Sequence, residues 1–207
     1  MTTTLIHKEK NITAGALNVS NAFDLSLVHL ANGDYKVVVF MKLQFFFNNN
    51  GSHIWTKVEK TQFMSKWEQA IKSAWGGRTL KTLSKGNKIT LNFDFKVQEA
   101  GWMYDHWEIT VVKIKTGSFQ TSYVTPSTNN VRLDSEDLSP VNKGASSTQR
   151  GAVHEFGHML GLDDEYNNKK HITDSGSVMH SAESIRPRHN SQISLWLHHI
   201  LAANKIK

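Results

Sequence analysis

Residues 154–158, with the sequence HEFGH, have the H-E-x-x-H spacing of a metal-binding helix. Residues four apart on a helix lie one turn above each other, so the imidazoles of His154 and His158 can face one metal ion. Glu155 lies beside them, close enough to reach a metal-bound water without occupying a coordination position. Zinc would lower the pKa of that water toward neutrality, and Glu155 would accept its proton.

Two residues that follow this helix extend the pattern, namely Gly161 and Asp164. A glycine at this point can take a positive φ, end the helix and turn the chain back under the metal. Asp164 would then supply a carboxylate oxygen as the third ligand. The adjacent Asp163 is the alternative, although the spacing favours Asp164. Two histidines and one carboxylate suit Zn²⁺ and leave a fourth position open for water.

This stretch resembles the HExxHxxGxxD motif of metzincin zinc peptidases, specifically those, such as snapalysin-type enzymes, in which aspartate replaces the third histidine. Residues 177–180, with the sequence SVMH, resemble the methionine turn of that family. The resemblance implies that Met179 lies beneath the zinc as a hydrophobic floor. The alternative is that Met179 is an ordinary core residue. In strict motif terms the resemblance covers residues 151–189.

The family resemblance leaves one catalytic role open. Some metzincins have a tyrosine two residues after the methionine, which binds the metal or stabilises the oxyanion, whereas this chain has Ser181 there. The role is vacant or is filled by His180, His189 or Tyr166. We take His189 as the preferred candidate for a second catalytic residue beside Glu155, the alternative being a solvent-facing histidine.

The periodicity of apolar residues predicts strands, one helix and further strands, followed by two more helices. Strands are expected at 24–30, 35–47, 89–97, about 107–114 and about 120–124. Helices are expected at about 61–75, 150–162 and 191–204, and an irregular segment at 129–147. The Asn32–Gly33 dipeptide predicts a hairpin between the first two strands.

This order of elements predicts an α+β fold. We expect a metzincin-like sandwich, in which a twisted mixed sheet of about five strands is backed by helices, with an active-site helix and a C-terminal helix. The length fits one catalytic domain over residues 1–207. Residues 1–20 are polar and poorly patterned, which suggests a flexible segment used in delivery or docking, or a frayed end.

The composition limits the classes of partner and the cellular compartment that we expect for this protein. The formal net charge is +6, but the lysines are scattered, which favours a solvated surface over nucleic-acid binding. With no cysteine, a disulfide framework and a thiolate zinc site are excluded. Residues 1–15 contain no signal-peptide core and no segment reaches transmembrane length, so membrane insertion is not expected. We expect a cytoplasmic protein or export by a specialised, non-Sec system.

The sequence therefore predicts a zinc-dependent endopeptidase that acts on a protein or peptide, with Glu155 as general base. One alternative is a zinc amidase that acts on peptidoglycan, whose anionic surface would suit a basic protein. A second is a zinc-stabilised binding module in which Glu155 is idle. The biological context is either a bacterial secreted toxin or effector, with a delivery apparatus and an immunity protein as partners, or a bacterial housekeeping role. Cleavage specificity and oligomeric state stay open.

Overall fold

The computed structural model describes residues 2–101, 104–142, 147–167 and 170–207, and it has an α+β fold. The strands are β1 (Thr4–Ala14), β2 (Val19–His29), β3 (Tyr35–Asn48), β4 (Arg78–Thr82), β5 (Lys88–Glu99), β6 (Trp107–Val112), β7 (Tyr123–Thr125), β8 (Asn130–Asp134), β9 (Val141–Asn142) and β10 (Thr148–Gln149). The helices are α1 (Lys57–Trp75), α2 (Gly151–Met159) and α3 (Ser191–Ala203), and a 3₁₀ turn at Pro187–Asn190 precedes α3. Among the described residues, no helix is both long and apolar enough to span a membrane.

Eight of the strands form one mixed sheet, whose centre is β3. Strand β5 pairs with β3 in parallel along residues 35–45, whereas β2 and β6 pair with its first and last parts. Because β5 covers one side of β3, β2 and β6 must share the other side. The sheet therefore divides into two arms, one ending at β1 and one at β7. Strands β9 and β10 form a separate small ribbon.

The predicted strands and helices are present, and the α+β class and the hairpin at Asn32–Gly33 are confirmed. Helix α1 begins earlier than expected because Thr56 and Glu59 form a capping box, in which each side chain accepts a hydrogen bond from the other residue's backbone N–H. Helix α2 ends at Met159, before the predicted end at 162.

Three expectations were wrong. Residues 4–14, expected to be flexible or frayed, form β1 and pair with β2. Residues 130–134, expected to be irregular, form β8, and the sheet has eight strands rather than about five. The missed strands are short or lie at an edge, where one open side tolerates polar residues, so they lack a strong apolar alternation.

Aromatic packing fixes α2 against the rest of the core. Phe156 of α2 contacts the rings of Trp67 and Trp75 from α1 and of Phe93 and Phe95 from β5, with ring centroids 5.3–6.0 Å apart. Aromatic side chains bury large areas, and edge-to-face pairs add specific geometry to that burial. The helix that carries the predicted metal ligands is thus held rigidly between α1 and the sheet.

Candidate metal centre

Helix α2 carries His154, Glu155 and His158 with the predicted geometry. Every residue of this helix except His158 is buried, as its apolar sequence requires. The imidazole rings of His154 and His158 lie 4.9 Å apart between centroids and almost perpendicular, at 85°. The one-turn spacing therefore places the two rings side by side on one face of the helix.

Backbone carbonyls orient both imidazoles. The His154 Nδ1 lies 2.7 Å from the Val178 oxygen, and the His158 Nδ1 lies 2.8 Å from the Leu162 oxygen. A carbonyl only accepts hydrogen bonds, so each Nδ1 carries a proton and each neutral ring has its lone pair at Nε2. This is the tautomer that metal-binding histidines use, with the second nitrogen fixed by an outer partner.

The third member of the cluster is Asp164. Its Oδ1 lies 3.2 Å from the His154 Nε2 and 3.4 Å from the His158 Nε2. The three ligand atoms lie within 4.8 Å of one another. Oδ1 is buried and has no hydrogen-bond partner in the described part of the chain, a costly state for a carboxylate oxygen. A divalent cation between these atoms would satisfy Oδ1 and both lone pairs, so the donor set fits zinc.

The loop after α2 delivers Asp164 rather than Asp163 to the imidazoles. Gly161 takes the predicted positive φ of 79°, and its N–H donates to the His158 oxygen as the helix ends. Asp163 is exposed, and its Oδ1 accepts a hydrogen bond from the Asp164 N–H at 2.9 Å. The exposed aspartate thus fixes the backbone of the one that meets the histidines.

The same arrangement changes how the cluster binds protons. Burial opposes ionisation of Asp164, but an imidazole of His154 or His158 that gains a proton would donate from Nε2 to Oδ1. Together with the Tyr166 hydroxyl, this interaction outweighs burial and holds the pKa of Asp164 below the usual range. Burial also opposes protonation of His158, yet Asp164, the nearby Glu155 and the Leu162 carbonyl together raise its pKa. The cluster therefore attracts positive charge, and a proton competes with a metal ion for it.

Met179 packs against α2 at Gly157. Its side chain is fully buried, and a Cβ added at Gly157 would overlap the Met179 sulfur and lie 3.3 Å from the Trp75 ring. Trp75 also donates from Nε1 to the Val153 oxygen at 3.1 Å. A side chain at residue 157, the position before His158, would therefore displace the Met179 side chain or the Trp75 ring.

Gly157→Ala is expected to destabilise the protein by a net amount of about 1–2 kcal/mol. The new methyl group overpacks the contact with Met179, which costs up to about 3 kcal/mol, and the roughly 1 kcal/mol that alanine gains over glycine in a helix offsets only part of this cost. Urea unfolding of the metal-free protein measures the difference. Ser73→Ala on the exposed face of α1 is the control, with an expected change within about 0.5 kcal/mol. Unchanged or higher stability of Gly157→Ala would contradict this packing.

Gln149 is a site residue that the sequence analysis missed. It is buried, and its Nε2 donates to the Val178 oxygen at 2.8 Å and to the Ala182 oxygen at 2.9 Å. Val178 is also the acceptor for His154, so the amide of Gln149 fixes the carbonyl that orients this imidazole. No spacing rule identifies such a residue, because its partners lie about 30 positions away in the chain.

His189 does not occupy the position that the sequence analysis preferred for it. Its buried Nδ1 accepts from the Arg186 N–H at 3.1 Å, and its Nε2 lies 3.2 Å from the Glu165 Oε1 and 3.3 Å from the Ser177 Oγ. Glu165 also forms a two-point ion pair with Arg188. Burial lowers the pKa of His189. Both ring nitrogens thus belong to a buried network, and neither solvent exposure nor a catalytic position describes this residue.

Tyr166 and His180, two of the residues considered for the second catalytic role, line the same cleft as Glu155. This cleft of about 440 Å³ opens beside α2 and is lined by His154, Glu155, Tyr166 and His180, together with residues 119–122. The Tyr166 hydroxyl donates to the Asp164 Oδ2 at 2.6 Å, and its ring lies 6.0 Å from that of His180. Of the three candidates considered from the sequence, these two line the cleft and His189 does not.

A second acidic group, Asp137, lies at the start of α2. Burial raises its pKa to about 6, with smaller contributions from the charges of Asp134 and Glu155. Its Oδ2 accepts hydrogen bonds from the Ser122 hydroxyl and from the Asp134 N–H, and its backbone oxygen accepts from the Ala152 N–H. Asp137 therefore connects the first turn of the helix to the wall of the cleft.

No protein-family model matches the chain, and no curated protein matches it. The resemblance to metzincins therefore rests on the motif residues within 151–189.

Proposed function

We propose that this protein is a zinc-dependent endopeptidase, with His154, His158 and Asp164 as metal ligands and Glu155 as general base. The observation that carries the proposal is the convergence of two imidazole nitrogens on the buried Asp164 Oδ1, which has no hydrogen-bond partner among the described residues. Two oriented imidazoles and one carboxylate leave a coordination position for water or substrate, which distinguishes a catalytic from a structural zinc site.

The proposed reaction divides between the metal and Glu155. Zinc would act as a Lewis acid on the scissile carbonyl and make the attacking water acidic near neutral pH. Glu155, one residue beyond His154 and facing the cleft, would accept the proton of that water and pass it to the leaving amine. A carboxylate suits both steps, because it accepts a proton as the bond forms and returns it as the C–N bond breaks.

Tyr166 supports the reaction through the carboxylate ligand. Its hydroxyl holds the Asp164 Oδ2, which leaves Oδ1 as the ligand atom. Burial, together with the hydrogen bond to Asp164 and its charge, raises the pKa of Tyr166, so this hydroxyl stays protonated. Its single proton therefore stays available for the bond that orients the carboxylate.

The sheet edge beside the cleft suits an extended peptide. Strand β7 pairs with β8 on one side, and no strand of the described residues pairs with its other side. Residues 119–122, which lead into β7, line the cleft together with Glu155. A substrate segment can therefore add to this edge by backbone hydrogen bonds and bring one of its peptide bonds to the metal.

Zinc dependence of cleavage tests the proposal. The purified protein is expected to bind one equivalent of zinc and to cleave an unfolded protein or a peptide library, to lose this activity with a chelator, and to regain it when zinc returns. One equivalent of zinc without any peptide cleavage would overturn the peptidase proposal. Digestion of purified peptidoglycan sacculi in parallel would then identify an amidase, and inactivity in both assays would favour a binding module.

A further inference from the structure

The turn between β1 and β2 lies directly against the loop that carries the third ligand. A Cβ added at Gly15 would overlap the backbone of Gly161, and one added at Gly161 would overlap the backbone of Ala14. The Leu17 N–H donates to the Gly161 oxygen at 3.1 Å. Two stretches of backbone can approach so closely only where both positions lack a side chain.

We propose that this turn, residues 14–18, is a positioning element of the metal centre, and this inference rests on the zinc site proposed above. The ligand loop is fixed at its start, because the Leu162 N–H donates to the Gly157 oxygen, and at its end, where the Glu165 N–H donates to the Met179 oxygen. The Gly161 oxygen belongs to the same peptide unit as the Leu162 N–H, at the start of the loop. Among the described residues, the bond from Leu17 to this oxygen is the backbone hydrogen bond that reaches the loop from outside the metal-site segments.

The contact at Gly161 is close in sequence to residues that form the proposed metal site. Leu162, the residue after Gly161, has the carbonyl that orients the His158 imidazole at 2.8 Å. Asp164 follows two residues later and supplies Oδ1. A shift of Gly161 would therefore displace one ligand directly and a second through its orienting carbonyl, whereas His154 depends on Val178 and would stay in place.

Helix α3 also holds the turn. The Gln192 Oε1 accepts from the Gly15 N–H at 2.6 Å, and the Gln192 Nε2 donates to the Thr13 oxygen at 2.7 Å. The side-chain amide thus matches one donor of the turn and one acceptor of the β1 residue just before it. The position of the turn is therefore set by α3 and transmitted to the ligand loop by Leu17 and Gly15.

Gly15→Ala tests the inference, with Gly51→Ala as matched control. Gly15 has φ 55° and Gly51 has φ 57°, so the backbone strain of the two substitutions is the same, but a Cβ at Gly51 meets no atom within 4 Å. The zinc Kd is measured by competition with a chromophoric chelator. Hydrogen exchange of peptides over residues 160–166 is measured in the metal-free protein, which gives a readout independent of zinc and of activity.

Gly15→Ala is expected to weaken zinc binding at least tenfold and to speed exchange over 160–166, while Gly51→Ala matches the wild type in both. Gln192→Met removes both hydrogen bonds to the turn without a clash, and it decides the question if Gly15→Ala does not fold. Wild-type zinc affinity and exchange in the folded variants would overturn the inference. If the wild type itself binds no zinc, the proposed function fails, and the exchange measurement still decides whether the turn fixes the loop.

Discussion

Glu155→Gln is expected to lower kcat/KM for peptide cleavage by about 10²–10⁴, the usual contribution of a general base, while one equivalent of zinc stays bound. Glutamine has the shape of glutamate but cannot accept a proton from the attacking water. The proposed ligand atoms belong to His154, His158 and Asp164, so the substitution leaves the metal coordination unchanged. Steady-state kinetics and metal analysis of the same preparation measure the two effects separately.

Glu108→Gln is the control for this substitution. Glu108 is an exposed residue of β6 outside the cleft that contains Glu155, so its loss of charge tests only a general effect on the protein. This variant is expected to retain wild-type kinetics. Wild-type cleavage by Glu155→Gln would contradict the general-base role, and loss of zinc from this variant would show that Glu155 takes part in holding the metal.

The parts of the site that the sequence predicts are those set by local geometry. His154 and His158 lie one helical turn apart, and Gly161 takes the positive φ that the end of α2 requires. Both follow from the dimensions of a helix and from the conformational freedom of glycine. The proximity of Asp164, rather than Asp163, to the imidazoles has the same origin. The loop after Gly161 is short and begins at a fixed point, so few of its residues can place a side chain near the histidines.

The parts that the sequence could not predict depend on contacts between distant segments. His189 follows Arg186 and Arg188 in the chain. Its surroundings, however, are set by Glu165 and Ser177, which are separated from it by 24 and 12 residues. Gln149 carries no motif of its own, and its role follows from the Val178 carbonyl that tertiary folding brings to it. Tyr166 was one of three candidates from the sequence, but its hydrogen bond to the Asp164 carboxylate could not be predicted. The periodicity of apolar residues predicts one helix or strand at a time, so it cannot predict hydrogen bonds between distant segments.

The fold of the N-terminal residues was also not predictable from the sequence, for a similar reason. Strand β1 alternates poorly because it lies at an edge of the sheet, and its polar side chains made residues 1–20 look flexible. Its packing instead involves α3, where Trp196 donates from Nε1 to the Glu9 carboxylate at 2.7 Å. A strand that contributes few apolar residues can therefore still determine where a turn lies, and Gly15 has its contact with Gly161 for this reason.

Asp164→Ala is expected to weaken zinc binding by about 10² or more, because removing a ligand costs at least as much as the 10–100-fold that loss of an outer partner costs. Zinc should then no longer raise the unfolding temperature at concentrations that stabilise the wild type, since that stabilisation depends on the ratio of zinc to its Kd. Asp163→Ala is the matched control, because it removes an exposed carboxylate from the adjacent position and with it the hydrogen bond that fixes the Asp164 N–H, but no proposed ligand atom, so a smaller loss of zinc affinity is expected. Chelator competition and thermal unfolding with and without zinc measure both variants. If Asp163→Ala lost zinc and Asp164→Ala kept it, the third ligand would be assigned to the wrong residue, whereas wild-type affinity in both would mean that neither carboxylate binds the metal.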